Sequence, residues 1–285
     1  MVYLEIPKMN EHPIEKGVAG VVETYELLDR VRMRRDLVIR DDQFGTEALR
    51  DAALYARRRR IGLSVLDTGR LGLVEIESLA RAGARVLTSD EARPRPGESQ
   101  ILQKACREGG THLSLFWNGP LPARDATSGM TLQALEDLLG DGVDVHLSDR
   151  KEPRDAGTLA GLAAAGKGKG YLVIYHIGPL VPDLAVPAGR GAWIHFSDAS
   201  IADNPGEEIA LGIAGAAAGS GSRAVVHIER GLALELLEAL WTAGAALLFL
   251  TPPSDDRSLL RPLERRAASR KLPPRAFFLS TAFLP

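Results

Sequence analysis

Four of the six histidines lie in short apolar runs of one grammar. His146 is in VDVHLSDR from Val143, His176 in YLVIYHI from Tyr171, His195 in GAWIHFSDAS from Gly191, and His227 in RAVVHIER from Arg223. Imidazole ionises near neutrality, so it can take or give a proton at working pH, and its nitrogens bind divalent metals. The chemistry these residues could do is acid/base catalysis, with His146, His195, His227, Glu229 and Asp90 as candidate catalytic groups. His146, His195, His227 and Glu229 are also the candidate ligands of a divalent metal, although no HxH or HExxH spacing marks them and His227-x-Glu229 is only suggestive. Arg40, Arg150, Arg230, Ser148, Ser197, Asn118 and His176 are the candidate substrate-binding residues. Arginine forks suit a carboxylate or phosphate, so the expected substrate is a small anion. The competing reading of each histidine is a core residue satisfied by a neighbour such as Asp144, Ser148 or Ser197.

A second signal is the recurrence of Ser89-Asp90, Ser148-Asp149 and Ser197-Asp198, with Asp41-Asp42 and Asp67-Thr68 similar. Acids where strands meet loops often only tie down a turn. Gathered at the carboxyl ends of parallel strands, they would also rim the place where α/β folds put their chemistry. Loop arginines Arg70, Arg93, Arg95, Arg124, Arg154 and Arg190, with Lys151, are further candidates for holding an anion.

The elements that must position these residues follow from hydrophobic period. In the run from Gly191, Ala192, Ile194 and Phe196 alternate with Trp193, His195 and Ser197, the signature of a strand with one apolar and one polar face. Strands are expected over 37–42, 61–67, 85–90, 112–118, 143–149, 171–177, 192–198, 224–229 and 246–251, plus one in the opening MVYLEI. Helices are expected to start near Thr46, Leu73, Ser99, Thr131, Asp155, Asn204 and Gly231. Thr46, Ser99, Thr131 and Asn204 are candidate caps, with Pro205 at the first helical position. Strand-to-strand intervals of about 21 to 31 residues suit right-handed crossovers in a parallel sheet.

The expected fold is therefore α/β, as a (β/α)8 barrel of the TIM type spanning 1–285 as a single domain. Residues 1–35, a strand and helix, and 254–285, a helix and apolar tail, are additions to it. The alternative is two five-stranded doubly wound α/β halves with a seam near Asn118 to Met130. The segment GPLVPDLAVPAGRG after Ile177 has three prolines and no helical period, and breaks the repeat. In a barrel, alternate residues point inward. That rule puts Arg40, Asp42, Ser64, Thr88, Asp90, Ser114, Asn118, Asp144, His146, Ser148, His176, His195, Ser197, His227 and Glu229 inside.

Composition narrows the partners. With 35 basic and 37 acidic residues, no global field recruits nucleic acid or an anionic membrane. The single cysteine, Cys106, rules out an intrachain disulfide and lies in an apolar helical pattern. No apolar stretch approaches the length of a membrane span, and no leader pattern opens the chain, so a cytoplasmic protein is expected. Gly166 to Gly170 and Gly219 to Gly221 precede strands, whereas a phosphate loop follows one, so they read as helix C-caps. No nucleotide-cofactor motif is found. The apolar tail is expected to cover its own barrel or to join a homo-oligomer. Two functions fit: a barrel hydrolase or lyase using acid/base chemistry, metal-assisted or not, on a small anionic metabolite, and a noncatalytic ligand-binding or scaffold subunit.

Overall fold

The computed structural model describes residues 37–124, 129–149, 154–201, 205–229, 231–249 and the backbone of 277–279. The expected opening strand and helix, the last helix, Arg150, Lys151 and Arg230 lie outside the described residues.

Nine of the expected strands form. They are β1 (Leu37–Arg40), β2 (Leu63–Leu66), β3 (Arg85–Ser89), β4 (Leu113–Trp117), β5 (Asp144–Ser148), β6 (Leu172–Tyr175), β7 (Trp193–Ser197), β8 (Ala224–Ile228) and β9 (Ala246–Phe249). Between them run α1 (Thr46–Arg59), α2 (Leu73–Ala82), α3 (Pro96–Gly109), α4 (Leu132–Gly140), α5 (Ala156–Gly166), α6 (Ala185–Ala188), α7 (Gly206–Ser220) and α8 (Leu234–Thr242). The fold is parallel α/β with alternating helices.

The chain divides into two compact units, one holding 37–146 with 168–170, the other 147–167 with 171–279. In the first unit β1, β2, β3 and β4 pair in parallel in that order. In the second, β6, β7, β8 and β9 do the same. A doubly wound half would reverse its strand order, and neither run of pairing does. Chain order with right-handed crossovers is the winding of a barrel wall, and it keeps the helices on one face. Consistently, α1 packs on α2 and α2 on α3, while α6 packs on both α5 and α7.

That face is apolar because helices cover it. Ile39, Val65, Val86 and Leu115 are buried there in the first unit, and Ile194, Phe196, Val226 and Leu247 in the second. Each buried branched side chain contributes about 1.5–3 kcal/mol of transfer free energy. The α2 and α3 helices come close enough that a Cβ added at Gly109 would lie 2.0 Å from the Ala80 carbonyl oxygen, so only glycine fits.

Helix starts hold some surprises. Thr131 caps α4 by accepting from the Ala134 N–H at 3.0 Å, and Asp155 caps α5 through Thr158 N–H at 2.7 Å. Thr46 instead lies inside α1 and donates to Glu75 at 3.1 Å, and Ser99 is buried inside α3. Pro205 occupies the N-cap of α7 itself, and Asn204 lies outside the described residues. The proline-rich segment after Ile177 folds as a 3-10 turn, Pro182–Leu184, followed by the single turn of α6. The crossover is shortened there, and the parallel order is kept. Both glycine-rich pieces precede strands as expected, with Gly221 in the left-handed C-cap of α7.

The apolar tail contributes a strand that alternation did not reveal. Residues 277–279 form β10, parallel to β9, with Phe277 opposite Leu247 and Leu279 opposite Phe249. This short piece of the tail therefore belongs to the chain's own sheet.

Candidate active site

Parallel register brings His195 and His227 together. Ile194 stands opposite Ala224 and Ser197 opposite His227, so His195, Ser197, Val225 and His227 share the sheet face away from the helices. The His195 Nδ1 and His227 Nε2 atoms are 3.0 Å apart. The rings are tilted by 45° with centroids 5.2 Å apart. His227 is only 1% exposed and its Nδ1 has no hydrogen-bond partner among the described residues, whereas His195 is half-buried. Burial pushes the His227 pKa down to about 4, so this imidazole is neutral at working pH.

Tyr175 completes the group. It stands opposite His195 in the β6–β7 register, and its ring meets the His195 imidazole at a centroid distance of 4.7 Å. Burial raises its phenol above the usual range and keeps it protonated. Ser197, one alternation further along β7, has its Oγ 3.4 Å from that of Ser200.

His176 was expected on this face, and register gives the place to Tyr175. Leu172, Val173, Ile174 and Tyr175 are all buried, so apolarity alone could not decide which alternate set points inward. His176 follows the strand end and is held elsewhere. Its Nδ1 is in close contact with Asp149 Oδ2, and its Nε2 lies 2.9 Å from the Pro179 carbonyl oxygen. Burial alone would lower its pKa, but the Asp149 carboxylate and the Pro179 carbonyl outweigh this and raise it.

His146 belongs to the first unit, where it stacks on Phe116 at 4.4 Å and 20°. Burial, with the nearby His112 charge, pushes its pKa down to about 3. Its surroundings thus hold it neutral.

The strand-end acids are spent on structure. Asp90 accepts from the Asn118 and Gly119 N–H groups at 2.9 and 3.0 Å. Asp149 accepts from Ile177 N–H at 2.9 Å, and Asp198 from Glu229 and Gly231 N–H at 3.1 and 2.9 Å. Asp41 likewise holds Thr68 and Leu71, and Asp67 takes both arms of the Arg93 fork at 2.8 and 2.9 Å. In each case a carboxylate at the end of one strand fastens the loop leaving the next. Asp90 therefore has both oxygens committed, which leaves it poorly placed as a base.

One other expected position differs. Thr88 lies on the helix-covered face, where it donates to Asp67 at 2.8 Å, because its neighbours Val86 and Leu87 are both buried and concealed the alternation. Glu229 is exposed beyond β8. Arg40 forks onto Asp42 at 3.0 and 2.6 Å in the first unit. Asn118 is exposed in the loop after β4. Ser148 is half-buried and its carbonyl accepts the Arg154 fork at 3.1 and 3.0 Å. Among the loop arginines, Arg93 is buried against Asp67 and Arg124 pairs with Glu136 at 2.6 Å.

The metal set does not fit. The facing nitrogens of His195 and His227 are turned on each other, and the second nitrogen of His227 is sealed from solvent. Among the described residues no group of three or more His, Cys, Asp or Glu side chains is arranged to hold a metal ion. No described helix is long and apolar enough to cross a membrane.

No protein-family model matches the chain, and no curated protein matches it. Among solved structures it is similar to a protein from Sorangium cellulosum described as a mandelate racemase/muconate lactonizing enzyme. The identity is 18% and the TM-score 0.35, over 73% of this chain and 51% of that one. The chain thus spans about half the length of that protein. It is also similar to a protein from Burkholderia cenocepacia J2315 described as a phosphonomutase, at 16% identity and TM-score 0.34, over 74% of this chain and 94% of that one. A third, from the same organism and described as a lyase/mutase, has 14% identity and TM-score 0.31, over 86% and 87%. Scores this low assign no activity, and the α/β class rests on this chain's own strand pairing.

Proposed function

We propose that the protein is an enzyme of acid/base chemistry, a lyase or hydrolase acting on a small anionic metabolite, with His195 as the imidazole that meets the reacting atoms. The observation that carries this reading is the 3.0 Å approach of His195 Nδ1 to His227 Nε2 at neighbouring strands. Orienting one imidazole through a second, buried and neutral one fixes which nitrogen of the first bears the proton, the arrangement a catalytic histidine requires. His195 is half-buried and can be reached by a small molecule; His227 cannot. Tyr175 limits the motion of the His195 ring, and Ser197 on the same face supplies a hydroxyl. Arg230, three residues beyond His227 in the chain, is the candidate for the substrate's negative charge.

The test uses the full chain in deuterated water with a panel of small hydroxy acids, keto acids and phosphate monoesters. Deuterium incorporation and product formation are followed by NMR. At least one compound should be turned over, and His195→Ala should slow that turnover by about 10²–10⁴-fold. Turnover unchanged in His195→Ala would overturn the reading. Saturable binding without turnover of any compound would favour the noncatalytic ligand-binding protein instead.

A further inference from the structure

The inner nitrogen of His227 limits where the protons of the pair can be. One of the two facing nitrogens must donate and the other accept across the 3.0 Å gap. If His195 Nδ1–H donated, His227 would carry its own proton on Nδ1. That atom is buried, the side chain around it is 1% exposed, and it has no acceptor among the described residues. An N–H orphaned in this way loses its full hydration, about 1–3 kcal/mol, and is rarer in proteins than an under-used acceptor. In the other arrangement His227 Nε2–H donates to His195 Nδ1, and the orphan is a bare nitrogen. The single proton of neutral His195 then lies on Nε2.

We infer that His227 is a positioning residue that locks His195 as its neutral Nε2–H tautomer, so that His195 serves as a hydrogen-bond donor to a substrate oxygen on which negative charge builds. This rests on the reading of His195 as the group that meets the substrate. It narrows the substrate to compounds with a carbonyl or comparable oxygen beside the bond being broken, which favours lyase chemistry through an enolate-like state. No bond to His195 is made or broken: its proton stays on Nε2, and its part in the reaction is the hydrogen bond given to the substrate oxygen as negative charge builds there. A donor to Nδ1 also opposes the imidazolium, because a second proton on His195 would meet the His227 N–H head on.

Nitrogen-15 NMR of the full chain labelled at histidine tests the tautomers directly, with His195→Gln assigning the signals. The expected result at neutral pH is two neutral rings, each protonated at Nε2. A proton on His195 Nδ1, or an imidazolium at either ring, would overturn the inference without touching the reading of the site. With a turned-over substrate in hand, His227→Leu should lower kcat on the order of 10²-fold with KM unchanged, and His227→Gln, which keeps a donor facing His195, should recover most of that loss. Wild-type kcat should hold as pH rises from about 7 to 9, since the neutral ring is the active form. An alkaline fall that His195→Gln abolishes, or equal kcat in the Gln and Leu variants, would refute the donor role. The expected tautomers with no catalysis of any compound would refute the donor role together with the enzyme reading, and leave the proton positions standing.

Discussion

A proton is excluded from His227 and held on His176, so the two residues respond to acid in opposite senses. His227 has its pKa lowered from 6.5 to about 4, so the unfolded chain binds the extra proton first. Stability that is whole above the unfolded value is lost as pH falls from about 6.5 towards 4, on the order of 3 kcal/mol. His146, pushed down to about 3, acts in the same direction. The urea midpoint of the wild type should therefore drop between about pH 7 and 5, and His227→Phe should show a smaller drop; equal drops would refute the assignment. His176 has its pKa raised, so its contribution is present below the unfolded value and fades as pH climbs through the folded one. Because both its ring nitrogens face oxygen acceptors, only the imidazolium satisfies both. His176→Gln should cost about 1–3 kcal/mol in mildly acid solution and less at alkaline pH, as read from denaturant curves. At this scale the sequence was legible where one face was polar. Trp193, His195 and Ser197 declare their side of β7, whereas the all-apolar run before His176 hid the fact that Tyr175 is the inward residue.

Strand-end carboxylates act between elements, and their removal should be felt there. Asp198→Ala leaves the Glu229 and Gly231 N–H groups without their acceptor and should destabilise by about 1–3 kcal/mol. Asp67→Ala should cost more, about 3–5 kcal/mol, because it strands the buried Arg93 guanidinium. Urea unfolding of the two variants checks both the sign and the order. Within α7, Gly212, Gly215 and Gly219 have open space where a Cβ would go, so Gly215→Ala should stabilise by up to about 1 kcal/mol. Gly109→Ala, blocked by the Ala80 carbonyl, should destabilise severely, and thermal melts of the pair give the contrast. Nine strands could be read from alternation and turn residues because each buries a face under helices. The acids at their ends were also visible, but their partners were not. A carboxylate that binds the backbone of the following strand's loop leaves no local pattern, and either reading of Ser197-Asp198 fitted the chain equally well.

For the whole molecule, the tail is the test of how the sheet ends. Residues 277–279 pair with the edge of β9 that faces away from β8, and an unpaired strand edge offers its N–H and C=O groups to other chains. A chain ending at residue 275 should melt lower and aggregate more readily; unchanged melting and unchanged mass by light scattering would show that the strand contributes nothing. The α/β class was legible from the alternation of strands and helices, but the chain-order winding within each unit was not, because right-handed crossovers build a doubly wound half as readily as a barrel wall. Pairing of a three-residue strand with a partner some thirty positions earlier could not be read, since nothing in FFL names its neighbour. The same winding bears on where the chain could be opened. Each tie runs from one strand to the loop leaving the following strand, and none of them is anchored in the turns before strands. A flexible insertion at Gly168 should leave every one of these carboxylate ties in place, while one immediately after β7 or β8 would part the two ends of the Asp198 tie, so insertions should be tolerated on one side of the sheet and rejected on the other.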